Sequence, residues 1–173
     1  MKKSSTLKLV LSGLFTAIGV GLPIAFHAFS LSGTMFLPMH IPVLLCGLVC
    51  GWRYGMITGI IVPIISSFLT GMPPLYPVGI AMALELAAYG AIIGILSERM
   101  NVIAALVGAM LGGRVVLGIS NVILMGLAGK SYAFSAFIAG AFVTALPGII
   151  LQLILIPAIY LILEKSNLLK KVA

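Results

Sequence analysis

Two ionisable side chains stand in the middle of long apolar runs: Glu85 in AMALELAAYG and Arg114 in LGGRVVLGIS. A charge at membrane depth is expensive, so each is a candidate site residue by default. Being of opposite sign they can pair, either as a bridge between two helices or as the wall of a polar cavity, and one arrangement can do both. At helical spacing Arg114, Gly118 and Asn121 fall at i, i+4 and i+7 and share a face. Glu85 and Tyr89 are related in the same way, at i and i+4. Ser120 and Asn121 are poor residues for a lipid-facing surface, so the pattern predicts a pocket open to the outside with Arg114 near its floor. Asn121 by itself also reads as a hydrogen-bonding residue between helices.

Other chemistry has little to work with. His27 and His40 sit at the ends of neighbouring apolar runs without a Cys, Asp or second His at metal spacing, and the chain contains no Asp. No metal site is therefore expected. In Leu37-Pro38-Met39-His40-Ile41-Pro42 two prolines fix the backbone, which would turn Met39 and His40 toward an outer cavity; an ordinary interfacial histidine is the alternative. There is no phosphate loop ending in Gly-Lys-Ser/Thr, no Gly-x-Ser-x-Gly elbow, no HExxH and no carboxylate pair. The chain is not expected to be an enzyme, to use ATP itself or to need a cofactor.

The elements that must hold these residues follow from composition. Hydrophobic residues make up 62% of the 173-residue chain and charged residues only 8%, against about 45–50% and about 25% in soluble domains. Such a chain cannot cover its core with polar surface, so its solvent is lipid. A bilayer core needs roughly 20 apolar residues per helix, and on that scale six spans are predicted: 9–29, 38–52, 55–71, 75–96, 102–127 and 134–163. Trp52, Arg53 and Tyr54 would separate the second from the third. Pro147 and Pro157 would bend the last. The first span is too long for a signal peptide. The expected fold class is an all-α integral membrane protein in a single domain.

Charge sets the orientation. Six spans put Lys2, Lys3, Lys8, Arg53, Arg99, Lys165, Lys170 and Lys171 on one side and leave Lys130 alone on the other. That asymmetry predicts cytoplasmic termini. The outer connections then lie near 28–37 (with Ser30, Leu31, Ser32, Gly33, Thr34, Phe36 and Leu37), 70–75 and 127–134. The positive charges do not cluster on a soluble face, so no nucleic-acid partner is expected. Cys46 and Cys50 read as small buried hydrophobes. Gly13, Ala17 and Gly21 form a small-residue row on the first span, suited either to packing within the chain or to docking of another membrane protein.

The stretch FLPMHIPVLLCGLVCGWRYGMITGIIVPIISSFLTGMPP, together with AMALELAAYGAIIGIL and GGRVVLGISNVIL, resembles the substrate-binding S components of energy-coupling factor (ECF) vitamin transporters along essentially the whole chain. The resemblance implies a membrane subunit that binds a micronutrient from outside beneath its first outer loop. It also implies association with a transmembrane coupling protein and two ABC-type ATPases, in a bacterial plasma membrane. By position it implies ligand contacts at Phe36, Met39, His40, Glu85, Arg114 and Asn121, and partner docking at Gly13, Ala17 and Gly21. Among substrates pantothenate is favoured, because an unpaired Arg114 would suit its carboxylate. An Arg114 neutralised by Glu85 would better suit a neutral heteroaromatic compound such as hydroxymethylpyrimidine or a pyridoxine-like ring. Aromatic residues look sparse around the presumed pocket, which argues against large rings of riboflavin size. An autonomous carrier or channel is the alternative, although the relay of titratable groups it would need is lacking; a small membrane enzyme is the remaining one.

Overall fold

The computed structural model describes residues 2–29, 32–166 and 169, with side chains from Ser5 onward. Ser30, Leu31, Lys170, Lys171 and the side chains of Lys2 and Lys3 lie outside the described residues. The elements run α1 (Lys2–Ala28), α2 (Gly33–Phe36), α3 (His40–Cys50), α4 (Trp52–Thr70), α5 (Ile80–Leu96), α6 (Val102–Leu127), α7 (Phe134–Ile138) and α8 (Leu146–Lys165), and no strand occurs among the described residues. Six stretches are long and apolar enough to cross a membrane: Ser5–Ala28, Gly33–Cys50, Trp52–Thr70, Leu75–Leu96, Val102–Leu127 and Leu146–Lys165. The all-α, six-span expectation therefore holds.

The first two spans begin earlier than expected, at Ser5 and Gly33, and three further boundaries differ. The second and third spans are separated by Gly51 alone, at φ 94°, and Trp52, Arg53 and Tyr54 form the first turn of α4. Only glycine takes that backbone angle without strain, so the break falls where the Cβ is missing and not where the polar residues stand. The fourth span opens with a distorted turn over Leu75–Gly79 in which Tyr76 is extended. The predicted sixth span is two elements: α7, continued by wide turns to Thr144, and then α8, with Pro147 in its first turn. Proline cannot donate to the carbonyl four residues back and its ring clashes with it, so an unbroken helix through Pro147 is disfavoured and a new helix starts instead.

The bundle has a tight half and a loose half. Helices α3, α4 and α5 pack extensively on one another, α6 lies along α5, and α1 lies across α3 and α4. Small residues permit this: a Cβ at Gly55 would come within 2.6 Å of Gly47 Cα and 2.7 Å of the Gly90 carbonyl. Ile41, Leu44, Tyr89, Ile93, Leu106 and Ile156 form the central core with their neighbours. By contrast α8 packs thinly on each of α2, α3 and α6 and reaches the core through Ile156. At the far end of α4 Ser66 and Ser67 donate to the carbonyls of Met72 (2.9 Å) and Pro73 (2.6 Å), fixing the connection after Thr70 to α4.

Candidate functional site

The tight half carries the charges. Glu85 on α5 and Arg114 on α6 meet directly, with Arg114 Nη1 donating to Glu85 Oε1 at 2.8 Å, and both side chains are almost fully buried. His40, the first residue of α3, brings Nε2 to 3.5 Å from the same oxygen without making a hydrogen bond. Its ring stands edge-on to Tyr89, 5.1 Å between centroids. The Tyr89 ring in turn lies against Gly113 of α6, where there is room only because no side chain is present. Thus three helices converge on one carboxylate, and Glu85 and Arg114, whose opposite charges allow a pair, form one. Removing charges from water costs several kcal/mol per ion, which the short bond offsets only in part.

The single pocket predicted around these residues is instead two cavities with Glu85 between them. The first, about 390 Å³, is lined by Ser32–Thr34 and Leu37–His40, by Pro23 and His27 of α1, and by Met72, Pro73 and Met82. Met39 and His40 contribute to its wall as expected. Leu37, also on this wall, is held at φ 53°, an uncommon angle for a side chain-bearing residue. The second is a groove of about 520 Å³ between α6 and the segment 132–142, open to the surface of the bundle, where Leu111, Val115, Ile119, Val122, Ile123 and Phe134 are exposed. Arg114 and Gly118 form part of its wall, but its remaining lining is apolar or aromatic: Tyr132, Phe134, Phe137 and Phe142 face Leu111, Val115, Ile119, Val122 and Ile123. The lining beside Arg114 is therefore mostly apolar, and aromatic residues are not sparse there. They come from Tyr132, α7 and the wide turns after it, brought to α6 by the break before Pro147. The recurrence of Phe134, Phe137 and Phe142 is the signal that would have revealed them.

The shared face of α6 is real, though its members do different things. A Cβ on Gly118 would lie 3.1 Å from the Phe137 ring, so this glycine keeps the cavity open. Asn121 lines neither cavity; its Nδ2 donates a long 3.5 Å bond to the Tyr132 hydroxyl. Burial pushes the Tyr132 phenol above its ordinary pKa, with the Asn121 bond opposing, so the hydroxyl keeps its proton at neutral pH. Phe36 is also outside both cavities. It is half-buried in α2, 5.8 Å from the Phe26 ring, and its backbone rests on Gly148 of α8.

Buried polar atoms without a partner complete the geometry. Among the described residues they belong to His40 (Nδ1 and Nε2), Arg114 (Nε and Nη2) and Gln152 (Nε2 and Oε1). Each such group costs about 1–3 kcal/mol if nothing meets it. Gln152, on the inner face of α8, is the residue the sequence reading missed. A lone glutamine in an apolar helix gives little periodic signal, but an amide at that depth is as unusual as a charge.

The small-residue row on α1 is not used for packing within the chain. Gly13, Ala17 and Gly21 are all exposed, and nothing lies within 4 Å of a Cβ built at Gly13 or Gly21. Gly19 is the packing glycine of this helix, against Val62 and Pro42. Cys46 and Cys50 are buried and unbridged, as expected for small hydrophobes.

No curated protein and no solved structure matches the chain significantly. A family model described as "ECF transporter, substrate-specific component" matches residues 7–160. Six membrane-length apolar helices, a buried polar centre beside two cavities and a match over most of the chain agree, and the chain belongs to the family of ECF transporter substrate-specific components, the membrane subunits that bind the substrate of an ECF importer.

Proposed function

We propose that this subunit captures a small, neutral heteroaromatic micronutrient at the polar centre around Glu85, for ATP-driven import into a bacterial cell across the plasma membrane. The observation that carries this reading is the 2.8 Å Arg114–Glu85 pair. With its charge already met, Arg114 is a poor receptor for a second carboxylate, which removes the reason to favour pantothenate. What remains available is hydrogen bonding, from Arg114 Nε and Nη2 beside the aromatic-walled groove of about 520 Å³ and from the His40 nitrogens beside the cavity of about 390 Å³. A flat ring carrying amino or hydroxyl groups suits both features, since its face can lie on the phenylalanines and its edge on the donors. Hydroxymethylpyrimidine and pyridoxine-like compounds are the leading substrates on this reading. Asn121 serves by holding Tyr132 at the cavity rim, and Phe36, Met39 and His40 serve through the first outer loop.

The same reading places both termini in the cytoplasm, following the positive charges. It assigns the exposed row Gly13, Ala17 and Gly21 to a transmembrane coupling protein, which works with two ABC-type ATPases. Lipid covers the remaining apolar surface.

The test is mass spectrometry of small molecules that co-purify with the protein in mild detergent, followed by titration without ATP or partners. A neutral ring compound bound at nanomolar to low-micromolar affinity is the expected result. A bound carboxylate such as pantothenate, with neutral rings inert, would overturn the substrate reading. Transport in liposomes without partners would overturn the subunit reading in favour of an autonomous carrier.

A further inference from the structure

Gln152 is buried to 1% exposure with neither of its amide atoms satisfied, and Glu85 and its contacts do not account for it. It belongs to a stripe on α8 formed with Gly148 and Ile156, four residues to either side. Ile156 lies in the central core with Ile41 and Tyr89, and these two residues adjoin His40, one by sequence and the other by its ring contact. Gly148, one turn outward, carries α2: a Cβ there would stand 2.6 Å from the Met35 carbonyl oxygen and 2.8 Å from the Phe36 carbonyl carbon. Gln152 thus stands on α8 between Gly148, which carries α2, and Ile156, which lies in the central core.

From this placement we infer that Gln152 is a specificity-determining contact of the substrate, reading a ring edge that carries a hydrogen-bond donor next to an acceptor. A carboxamide presents one donor and one acceptor side by side, and the group it pairs with best is a ring nitrogen adjacent to an exocyclic amino group, or the corresponding ring lactam. A secondary amide in the trans form cannot offer both partners on one side, and neither can a pyridine whose hydroxyl is remote from the ring nitrogen. The inference rests on the neutral-ring reading above and narrows it to aminopyrimidine-type compounds. It also requires α2 to lift from Gly148 for the ligand to enter, since the amide is sealed when α2 is seated.

The experiment is calorimetric titration of wild type and Gln152→Leu with hydroxymethylpyrimidine, which carries the amino group beside a ring nitrogen, and with its des-amino analogue. The melting temperature of each ligand-free protein is read in parallel. Wild type should bind the amino compound at least 30-fold more tightly than the analogue. In Gln152→Leu that preference should collapse to within 3-fold while the ligand-free melting temperature holds or rises, because an unmet amide has been removed. Gln152→Asn, which keeps the amide on a shorter stem, should recover part of the preference. A preserved preference in Gln152→Leu overturns the inference alone, as does a lower melting temperature with unchanged affinities, which marks an amide held by internal water. Failure of wild type to bind any neutral ring, amino-substituted or not, overturns the underlying reading as well.

Discussion

Neutralising Glu85 should change which charge the site accepts. In Glu85→Gln the amide is nearly isosteric and can still accept from Arg114 Nη1, but the guanidinium, 5% exposed, then lacks a counter-ion. Two unit charges about 4 Å apart attract by about 4 kcal/mol at an effective dielectric near 20. Desolvation of an entering carboxylate consumes part of this, and charge-assisted hydrogen bonds measured in proteins retain about 1.5–3 kcal/mol. The variant should therefore bind a carboxylate-bearing ring, such as nicotinate, about 10- to 100-fold more tightly than wild type. Neutral rings should lose affinity or stay the same. Because breaking a buried pair costs about 3–5 kcal/mol, the ligand-free variant should also melt lower, and the carboxylate ligand should restore part of the loss. The assay is titration plus thermal unfolding in detergent with matched neutral and carboxylate ligands. If carboxylate affinity fails to rise while the variant remains folded, Arg114 does not face the ligand, and the polar-centre argument collapses.

Three other perturbations probe separate parts of the molecule. Gly13→Leu with Ala17→Leu should leave ligand affinity within 2-fold yet abolish co-purification with the coupling protein, because the row is exposed and packs against nothing in this chain; a surviving complex would remove the docking role. Gly118→Leu drives a side chain into the cavity beside the Phe137 ring, 3.1 Å from the first added atom. Ring binding should fall at least 10-fold with the bundle intact, and unchanged affinity would show that the aromatic cavity is not the ring subsite. Gly148→Leu cannot coexist with α2 in its present seat, where the Met35 carbonyl oxygen would lie 2.6 Å away. Ligand dissociation measured by stopped flow should quicken about 10-fold, whereas an unchanged rate would mean that α2 does not cover the ligand.

The features legible in the sequence were those with a strong one-dimensional signature. Apolar length gave the six spans, and mid-span charge singled out Glu85 and Arg114, whose pairing follows once α5 and α6 lie side by side. Helical periodicity put Arg114, Gly118 and Asn121 on the face that meets residues 132–142. The breaks were harder. Arg53 drew attention to the wrong place because polarity marks membrane surfaces, while the chain turns at Gly51 where the backbone angle demands glycine. Pro147 was visible, but proline in a long apolar run is compatible with a bend as well as a new start. Missing that start hid the return of Phe134, Phe137 and Phe142 toward α6, and with it the second cavity. Gln152 escaped because one amide has no periodicity to report.

The distribution of packing explains why the unmet atoms sit where they do. Helices α3 to α6 are fastened by glycine contacts too close to adjust, so His40, Glu85 and Arg114 are held in place before any ligand arrives. On the other side α7 and α8 touch this block thinly, and α8 packs thinly on α2 as well. The unsatisfied polar atoms of the described residues lie on both sides of that seam: His40 and Arg114 on the rigid block, Gln152 on the loose one. A ligand bridging the seam would meet groups that nothing in the chain meets and would tie α8 to the block. Binding that favours only the closed form stabilises it by RT ln(1 + [L]/Kd), about 2.7 kcal/mol at a hundredfold excess over Kd. On the proposed reading, preorganised donors on one wall and a thinly packed wall opposite would let a buried site combine capture with an entrance.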